Sequence, residues 1–430
     1  MPRPPGQPVK LPTLPEHLIT DPSQLVGCLD HIARCPVIGF DTEFVGEQTY
    51  RPELCLLQVA TPEHLYVIDP FHCGPLDRFW ELLLDPGRTT VVHAGREDVR
   101  ICCFQVGKPP ADVFDLQIAA GLVGLNYPIG YGGLVHDLLG HKMSKSETLT
   151  DWRRRPLLPA QVRYAFDDIR FLLPAWKKLT ERLKRLKRID WAREEFVTAV
   201  RRATGDEESP VEKWRRLKGI GRLDRRQLAV ARELHAWREE FAARVNRPAR
   251  QLLRDDVLVE IARRSPVRAD DLASYRGVPR GEVESILEAV RRARALPVHD
   301  CPSLEPREAD PPPVVLLANL LGVVLSDWCA RNKLAANLVA SGSDLRALVR
   351  HHVTGDPLPD IPLAGGWRAT AVLGELTAVL DGRNALQVRN PRSAAPLGFL
   401  PITVPPPPPE PDPQPPPVPT PPARPPRLPL

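Results

Sequence analysis

No Cys-x-x-Cys pair occurs in the 430 residues, and the eight cysteines (Cys28, Cys35, Cys55, Cys73, Cys102, Cys103, Cys301 and Cys329) fall mostly in apolar stretches. That distribution points to buried thiols in a reducing compartment. The N-terminus, Met-Pro-Arg-Pro-Pro-Gly, lacks the apolar region of a signal peptide, and no run approaches the ~20 apolar residues of a membrane span. A cytoplasmic protein with no membrane partner is therefore expected. Nor is one sign of charge in large excess, since a net charge of +5 permits a polyanionic partner without demanding one. No repeat of fixed period is visible. What the chain has in plenty is proline, 51 residues with many in the two termini. With 43% hydrophobic and 26% charged residues it has the balance of a soluble globular protein, and its length suits about three domains.

The most informative stretch runs from Pro36 to Glu43, Pro-Val-Ile-Gly-Phe-Asp-Thr-Glu. The period of two along a strand puts Asp41 and Glu43 on one face, at the end of an otherwise apolar run. Like charges side by side at the end of a buried strand repel and resist desolvation, so a positive group should sit between them, and a divalent metal is the natural candidate. An isolated Asp-x-Glu also describes a strand that simply ends in solvated acids. The reading therefore turns on whether the rest of the chain brings further carboxylates.

Upstream, an amphipathic pattern from Leu14 to Ala33, with Asp21-Pro22 as N-cap and first helical residue, predicts a helix. Downstream, Leu54–Ala60 and Leu65–Asp69 around the turn Thr61-Pro62-Glu63 predict an antiparallel meander with the Asp41 strand. Thr90–His93 lies between helices, which predicts parallel insertion. After His93-Ala94-Gly95 a helix opens, with Asp98 in its first turn where the helix dipole favours an acid whether or not it has another role. Val113–Asp115 followed by Leu116–Leu125 predicts a short strand and helix, and further helices are expected at Gly132–Leu139 and from Pro159 to about Leu186. In the last of these, Tyr164 and Asp168 are four apart on one face, so a phenol can hold a water beside a carboxylate. Asp167 points about a hundred degrees away.

Four acids, Asp41, Glu43, Asp98 and Asp168, can hold two hard divalent ions through oxygen ligands, an arrangement that serves in-line hydrolysis of a phosphodiester. The motifs Asp41-Thr-Glu-Phe44, His93-Ala-Gly-x-x-Asp98 and Tyr164-x-x-x-Asp168 resemble the three exonuclease motifs of the DEDD superfamily in its tyrosine-containing branch. Leu134-x-Asp-Leu-Leu-Gly140 and Lys145-Ser-Glu-x-x-x-Asp-Trp152 are similar to the ribonuclease D family in particular. The resemblance covers roughly residues 14 to 187. It implies an α/β, ribonuclease H-like mixed sheet, 3′-to-5′ exonuclease activity, two Mg²⁺ or Mn²⁺ ions per site, and RNA substrates such as tRNA precursors. By motif match, Asp41, Glu43, Asp98 and Asp168 carry over as metal ligands and Tyr164 as the residue that orients water. A 3′-to-5′ DNA exonuclease remains an alternative within the same chemistry, and a catalytically idle RNA-binding protein on the same fold is the rival of another class. Around the site, Phe44 could stack on a terminal base or belong to the core, and His93 could touch substrate or shape the sheet. Lys145, Trp152, Arg153, Arg154 and Arg155 suit an incoming single strand, or a solvated basic loop.

The expected domains are a disordered N-terminus at 1–12, an exonuclease domain at 13–205, a helical domain at 211–297, a second such domain at 314–388 and a disordered Pro-rich tail at 389–430. Trp214-Arg-Arg-Leu-Lys-Gly-Ile-Gly221, Leu228 to Trp237-Arg-Glu and Arg276-Gly277-Val-Pro resemble the HRDC module, which implies an auxiliary nucleic-acid-binding role. Arg222, Arg225, Arg226, Arg247, Arg250 and Arg254 make RNA binding plausible there, and the basic residues between Lys177 and Arg188 suit the wet face of a connecting helix. The set from Val314 is similar to a second HRDC-like module. Pro405–Leu430 has the composition of a polyproline II tract.

Overall fold

The acid-bearing strand sits near the middle of a six-stranded mixed sheet in the computed structural model, which describes residues 8–143, 151–205, 210–273, 275–304 and 310–402. The strands are β1 (Glu16–Ile19), β2 (Val37–Val45), β3 (Glu53–Ala60), β4 (Leu65–Ile68), β5 (Thr89–Val92) and β6 (Val113–Asp115), in the spatial order β1-β4-β3-β2-β5-β6. The pairs β2–β3 and β3–β4 are antiparallel, and β2–β5, β5–β6 and β1–β4 are parallel. In the β2–β3 register Asp41 lies opposite Gln58 and Glu43 opposite Leu56, with a register shift after Glu43. This strand is paired along both edges, and Ile38 and Phe40, two apart on one face of it, are fully buried.

The helices alternate with the later strands: α1 (Pro22–Ala33), α2 (Asp77–Leu82), α3 (Arg96–Val106), α4 (Leu116–Leu122), α5 (Tyr131–Leu139), α6 (Pro159–Arg170), α7 (Leu172–Arg185) and α8 (Ile189–Thr204). Asp21 starts α1 as expected, its carboxylate accepting from the Ser23 amide at 2.7 Å with Pro22 at the first position. The segment before it is a correction: Glu16–Ile19 is an edge strand paired with β4 rather than the first turn of that helix. A four-residue segment is too short for periodicity to separate strand from helix.

One face of the sheet packs α1, α2 and α3 through Ile32, Phe79, Trp80, Val99 and Ile101, and the other packs α4 to α7 through Leu116, Leu134, Ala165, Leu172 and Leu179. The second contact is close: a Cβ on Gly39 of β2 would lie 2.9 Å from Cβ of Leu172. The second core runs on without interruption into the C-terminal helices, taking in Val314, Leu321, Val324, Trp328 and Trp367. Arg188, expected on a wet face, is buried and bolts this join, its guanidinium donating to the carbonyls of Leu122 at 2.7 Å, of Lys333 at 2.9 Å and of Asn332.

By length and composition, Pro312–Asn332 is a helix that could cross a membrane, which corrects the reading that no run is so apolar; Val314, Leu321, Val324 and Trp328 on it are buried in the core. Structure also extends into the segment expected to be tail. An antiparallel hairpin, β7 (Asn384–Val388) and β8 (Leu397–Pro401), is tied to that helix by the Leu397 amide donating to Asp327 at 2.9 Å and by Arg331 stacked 4.8 Å over Phe399. The remainder of that expectation, residues 403–430, lies outside the described residues.

Between these parts, the helices Arg225–Val245, Asp255–Arg264 and Val283–Ala295 enclose their own core of Trp214, Leu228, Leu234, Ile261, Ile286 and Val290. Asp224 and Gln227 form a reciprocal capping box at the start of the first, with both bonds at 2.9 Å. This unit rests on the loop between β2 and β3: the Tyr50 hydroxyl donates to Glu239 at 3.2 Å, the Arg51 amide to Asn246 at 3.1 Å, and the Gln251 side chain to the Glu47 carbonyl at 3.1 Å. Two of its arginines serve the fold itself, Arg225 bonding the carbonyls of His299 and Cys301 and Arg226 those of Arg294 and Leu296.

Candidate active site

The site exists because neighbouring strands end at different heights. β5 stops at Val92 and pairs with β2 only over Val37–Gly39, so β2 continues past it and leaves the flank of Asp41 and Glu43 open to the segment after β5. That segment, Ala94–Gly95, is a tight turn. Ala94 adopts φ +53, and a Cβ on Gly95 would lie 2.5 Å from Cγ2 of Val92. The Asp115 carboxylate accepts from the amides of Ala94 and Gly95, both at 3.2 Å, and from Gln117 at 2.8 Å at the start of α4. Held in this way, α3 begins at Arg96 and offers Asp98 from its first turn, where the Thr42 hydroxyl donates to it at 2.6 Å.

From the other face, α6 lays Tyr164 and Asp168 one turn apart, and the Tyr164 hydroxyl bonds the Asp168 carboxylate. Oxygens of Asp41, Glu43 and Asp168 all lie within 4.8 Å of one another, a grouping that can hold a metal ion. Asp98 is 7% exposed and close enough to act on both Asp41 and Glu43.

The electrostatics are those of a pocket that wants cations. Burial, followed by Asp98, Asp168 and Glu43, pushes Asp41 well above the ordinary carboxylate range. Burial, then Asp168 and Asp98, lifts Glu43 to about 8. Burial lifts Asp168 to about 7 against the Tyr164 bond, and Asp98 to about 6 against the Thr42 bond. The influences that oppose these rises are hydroxyl and amide hydrogen bonds rather than a basic side chain. Hard oxygen donors that repel one another in a dry pocket fit a divalent cation. Tyr164 is likewise shifted up, by burial and then Asp168, so its phenol stays protonated at neutral pH.

The remaining site expectations divide. Trp152, expected to meet nucleic acid, is instead 3% exposed and lies beneath Tyr164, with ring centroids 5.9 Å apart. Arg153 is paired with Glu53 at 2.7 Å, and Arg155 is committed to Asp69 at 2.5 and 2.8 Å and to the Cys55 carbonyl at 2.9 Å. Phe44 is half-buried against the α1–α3 core. His93 is half-buried at the end of β5 beside Tyr131, with ring centroids 5.3 Å apart; burial lowers its pKa to about 4, so the ring is neutral. Lys145 lies outside the described residues.

Three residues belong to the neighbourhood without having been singled out. Asp115 fixes the turn that aims Asp98. Tyr131 is raised by burial and then by Asp168, and its hydroxyl accepts from the Phe171 amide at 3.2 Å. Gln58 is wholly buried opposite Asp41, and neither its Oε1 nor its Nε2 has a partner among the described residues. A buried amide without partners is rare and calls for a water or an ion's hydration shell. Only the register of β3 against β2, which the sequence does not supply, puts Gln58 on the face of Asp41.

A family model described as 3′-5′ exonuclease matches residues 17–184 of the chain, and one described as HRDC domain matches residues 227–292. Ribonuclease D of Gluconacetobacter diazotrophicus is 40% identical over 381 residues, 87% of this chain and 95% of that one. Ribonuclease D of Acidiphilium cryptum is 36% identical over 390 residues, 89% of this chain and 97% of that one. Among solved structures, that of Escherichia coli RNase D, described as an exoribonuclease involved in structured RNA processing, aligns with a TM-score of 0.73 at 29% identity over 86% of this chain and 99% of that one. The mixed sheet is thus the ribonuclease H-like exonuclease fold, followed by HRDC helices.

Proposed function

The chain belongs to the ribonuclease D family and is a 3′-to-5′ exoribonuclease, and on that premise we propose that Asp41, Glu43, Asp98, Asp168 and Tyr164 form its active site, holding two Mg²⁺ or Mn²⁺ ions. The observation that carries the proposal is the convergence of carboxylates from β2 and α6 within 4.8 Å, with Asp98 brought alongside by Thr42. Two such ions, when bound, lower the pKa of an attacking water and stabilise the departing 3′ oxygen.

The chain's own residues do the rest. Glu43 and Asp168, which share the pocket with Tyr164, place the water on the side of the phosphodiester opposite the leaving group. The Tyr164 hydroxyl, held by Asp168 and backed by the Trp152 ring, orients that water and is too weakly acidic to act as its base. Thr42 fixes Asp98 at the far side of the pair.

The substrates we assign are structured RNAs with a free 3′ hydroxyl, tRNA precursors among them. The HRDC unit supports this by resting on residues 47–51, directly after the acid strand, so that RNA held there is close to the pocket. A reducing cytoplasm is supported by eight cysteines that are all free. The test is a time course on a 3′-extended tRNA precursor and on DNA of the same sequence. Stepwise loss of single nucleotides from the RNA, and little from the DNA, is expected; equal or faster trimming of the DNA would overturn the substrate assignment.

A further inference from the structure

A second set of metal-ligating side chains lies at the edge of the sheet and shares no residue with the acid pocket. His31 stands in the last turn of α1, while Glu63 and His64 occupy the turn between β3 and β4. One donor atom from each lies within 4.8 Å of the other two. The rings of His31 and His64 meet edge to face with centroids 4.8 Å apart.

The hydrogen bonds around this group leave lone pairs to spare. Thr61 Oγ1 accepts from the amides of Glu63 at 3.3 Å and His64 at 2.9 Å, which uses both its lone pairs, and donates to the His64 carbonyl at 3.1 Å. The same oxygen lies 3.2 Å from Nε2 of His31, so its single proton is shared between that nitrogen and the His64 carbonyl. The Cys35 thiol, 3.7 Å from that nitrogen, donates to the His31 carbonyl. His31 Nε2 therefore faces a hydroxyl and a thiol that each have a carbonyl acceptor as well, so its lone pair can pass to a metal ion without leaving either proton unplaced. On the other ring, Nδ1 of His64 lies 3.0 Å from Nε2 of His17 on β1; in the tautomer where His64 Nδ1 donates to His17, Nε2 of His64 is free as a lone-pair donor. A ligating histidine whose second nitrogen is held by a polar partner is the usual arrangement in metal sites.

We propose that His31, Glu63 and His64 bind one divalent transition ion of the zinc type, with His17 as the residue that orients His64. Two imidazoles and a carboxylate are borderline donors that suit Zn²⁺ and its neighbours rather than Mg²⁺, and leave a tetrahedral position for water. Bonds of about 2.0–2.1 Å require ligand separations near ~3.3 Å, so the two rings and the exposed Glu63 side chain draw together from their present spacing of up to 4.8 Å when the ion binds. The position at the C-terminal end of α1 favours a cation as well. Such an ion joins α1, the β3–β4 turn and, through His17, the four-residue edge strand β1. Its role is to hold that edge in place.

Cobalt(II) absorption separates this site from the acid pocket, because a tetrahedral site with nitrogen ligands absorbs strongly in the visible and an octahedral oxygen site absorbs weakly. Full-length wild-type protein and Asp41→Asn are titrated with Co²⁺ and then with Zn²⁺. The expected result is an intense band, saturating at one equivalent and displaced by Zn²⁺, in both proteins. It should be lost in His31→Ala and His64→Ala, and Co²⁺ binding should be at least ~10-fold weaker in His17→Ala. Because Glu63 is exposed, Glu63→Gln leaves the fold intact and should also weaken binding. No intense band in wild type, or a band that survives both Glu63→Gln and His64→Ala, overturns the proposal, and neither result bears on the exonuclease site.

Discussion

The hydroxyl of Thr42 donates a 2.6 Å hydrogen bond to Asp98, fifty-six residues away. Thr42 sits between the two acids of β2 but points to the other face, and so the strand that carries Asp41 and Glu43 also positions the third acid. Thr42→Val keeps the shape and removes the donor. A hydrogen bond to a charged group is worth roughly 1.5–3 kcal/mol, so half-maximal activity should need at least ~10-fold more Mg²⁺, and the melting temperature should fall by a few degrees. A Mg²⁺ titration of the trimming rate checks this, and an unchanged midpoint would remove Thr42 from the account.

The raised acids make a prediction about pH. Glu43 at about 8, Asp168 at about 7 and Asp98 at about 6 all lie above their unfolded values. The folded, metal-free protein therefore binds more protons than the unfolded chain between about pH 4 and pH 8, and stability falls as pH rises through that window. Without metal, the melting temperature should drop from pH 5.5 to pH 8.5, and Mn²⁺ should restore it at the upper end. At pH 8.5, Asp41→Asn should melt about 2 °C or more higher than wild type without metal, because it removes repulsion, even as its trimming activity should be lost. Thermal melts across pH with and without chelator decide this.

Tyr164 and Trp152 are neighbouring rings, 5.9 Å apart, with different tasks. Tyr164→Phe keeps the packing and loses the hydroxyl, so the turnover rate should fall ~10²-fold or more with metal binding and melting temperature little changed. Trp152→Ala empties a buried site and should cost about 3–5 kcal/mol of stability. If Trp152→Ala were as stable as wild type and lost only RNA affinity, the ring would be a surface contact after all.

Gln58 faces Asp41 with a buried and unpartnered amide. Gln58→Leu fills the same space without polar atoms and should raise stability in metal-free protein while lowering trimming at limiting Mg²⁺ by about 10-fold, if the amide bonds a water of the ion's shell. Equal activity and equal stability would leave Gln58 without a role at the site.

Much of the site was legible because its chemistry is carried by residue types that are costly where they stand. Two acids ending an apolar strand, an acid in a helix's first turn and a Tyr–Asp pair at a spacing of four each have a local signature, and the resemblance to exonuclease motifs joined them. The environment of single side chains was not legible, because it depends on partners far away in sequence. Trp152 and Arg188 read as surface residues, yet one is covered by Tyr164 and the other by carbonyls from Leu122, Asn332 and Lys333. Asp115 looked like the end of a short strand, and only the fold brings it under the Ala94–Gly95 turn. Strand β8 failed to register because its neighbours are rich in proline, while its anchor, Asp327, lies seventy residues upstream.

The most direct test of the central claim is trimming of a 3′-extended tRNA precursor by wild type and by Asp41→Asn, each with Mg²⁺ or Mn²⁺ and again with chelator. If cations gathered by Asp41, Glu43, Asp98 and Asp168 carry the reaction, the wild-type rate vanishes with chelator and returns with metal, and Asp41→Asn is slower than wild type by ~10³-fold or more with either metal, in keeping with several kcal/mol of lost transition-state stabilisation. An Asp41→Asn protein that trims at the wild-type rate, or a wild type indifferent to chelator, would contradict it.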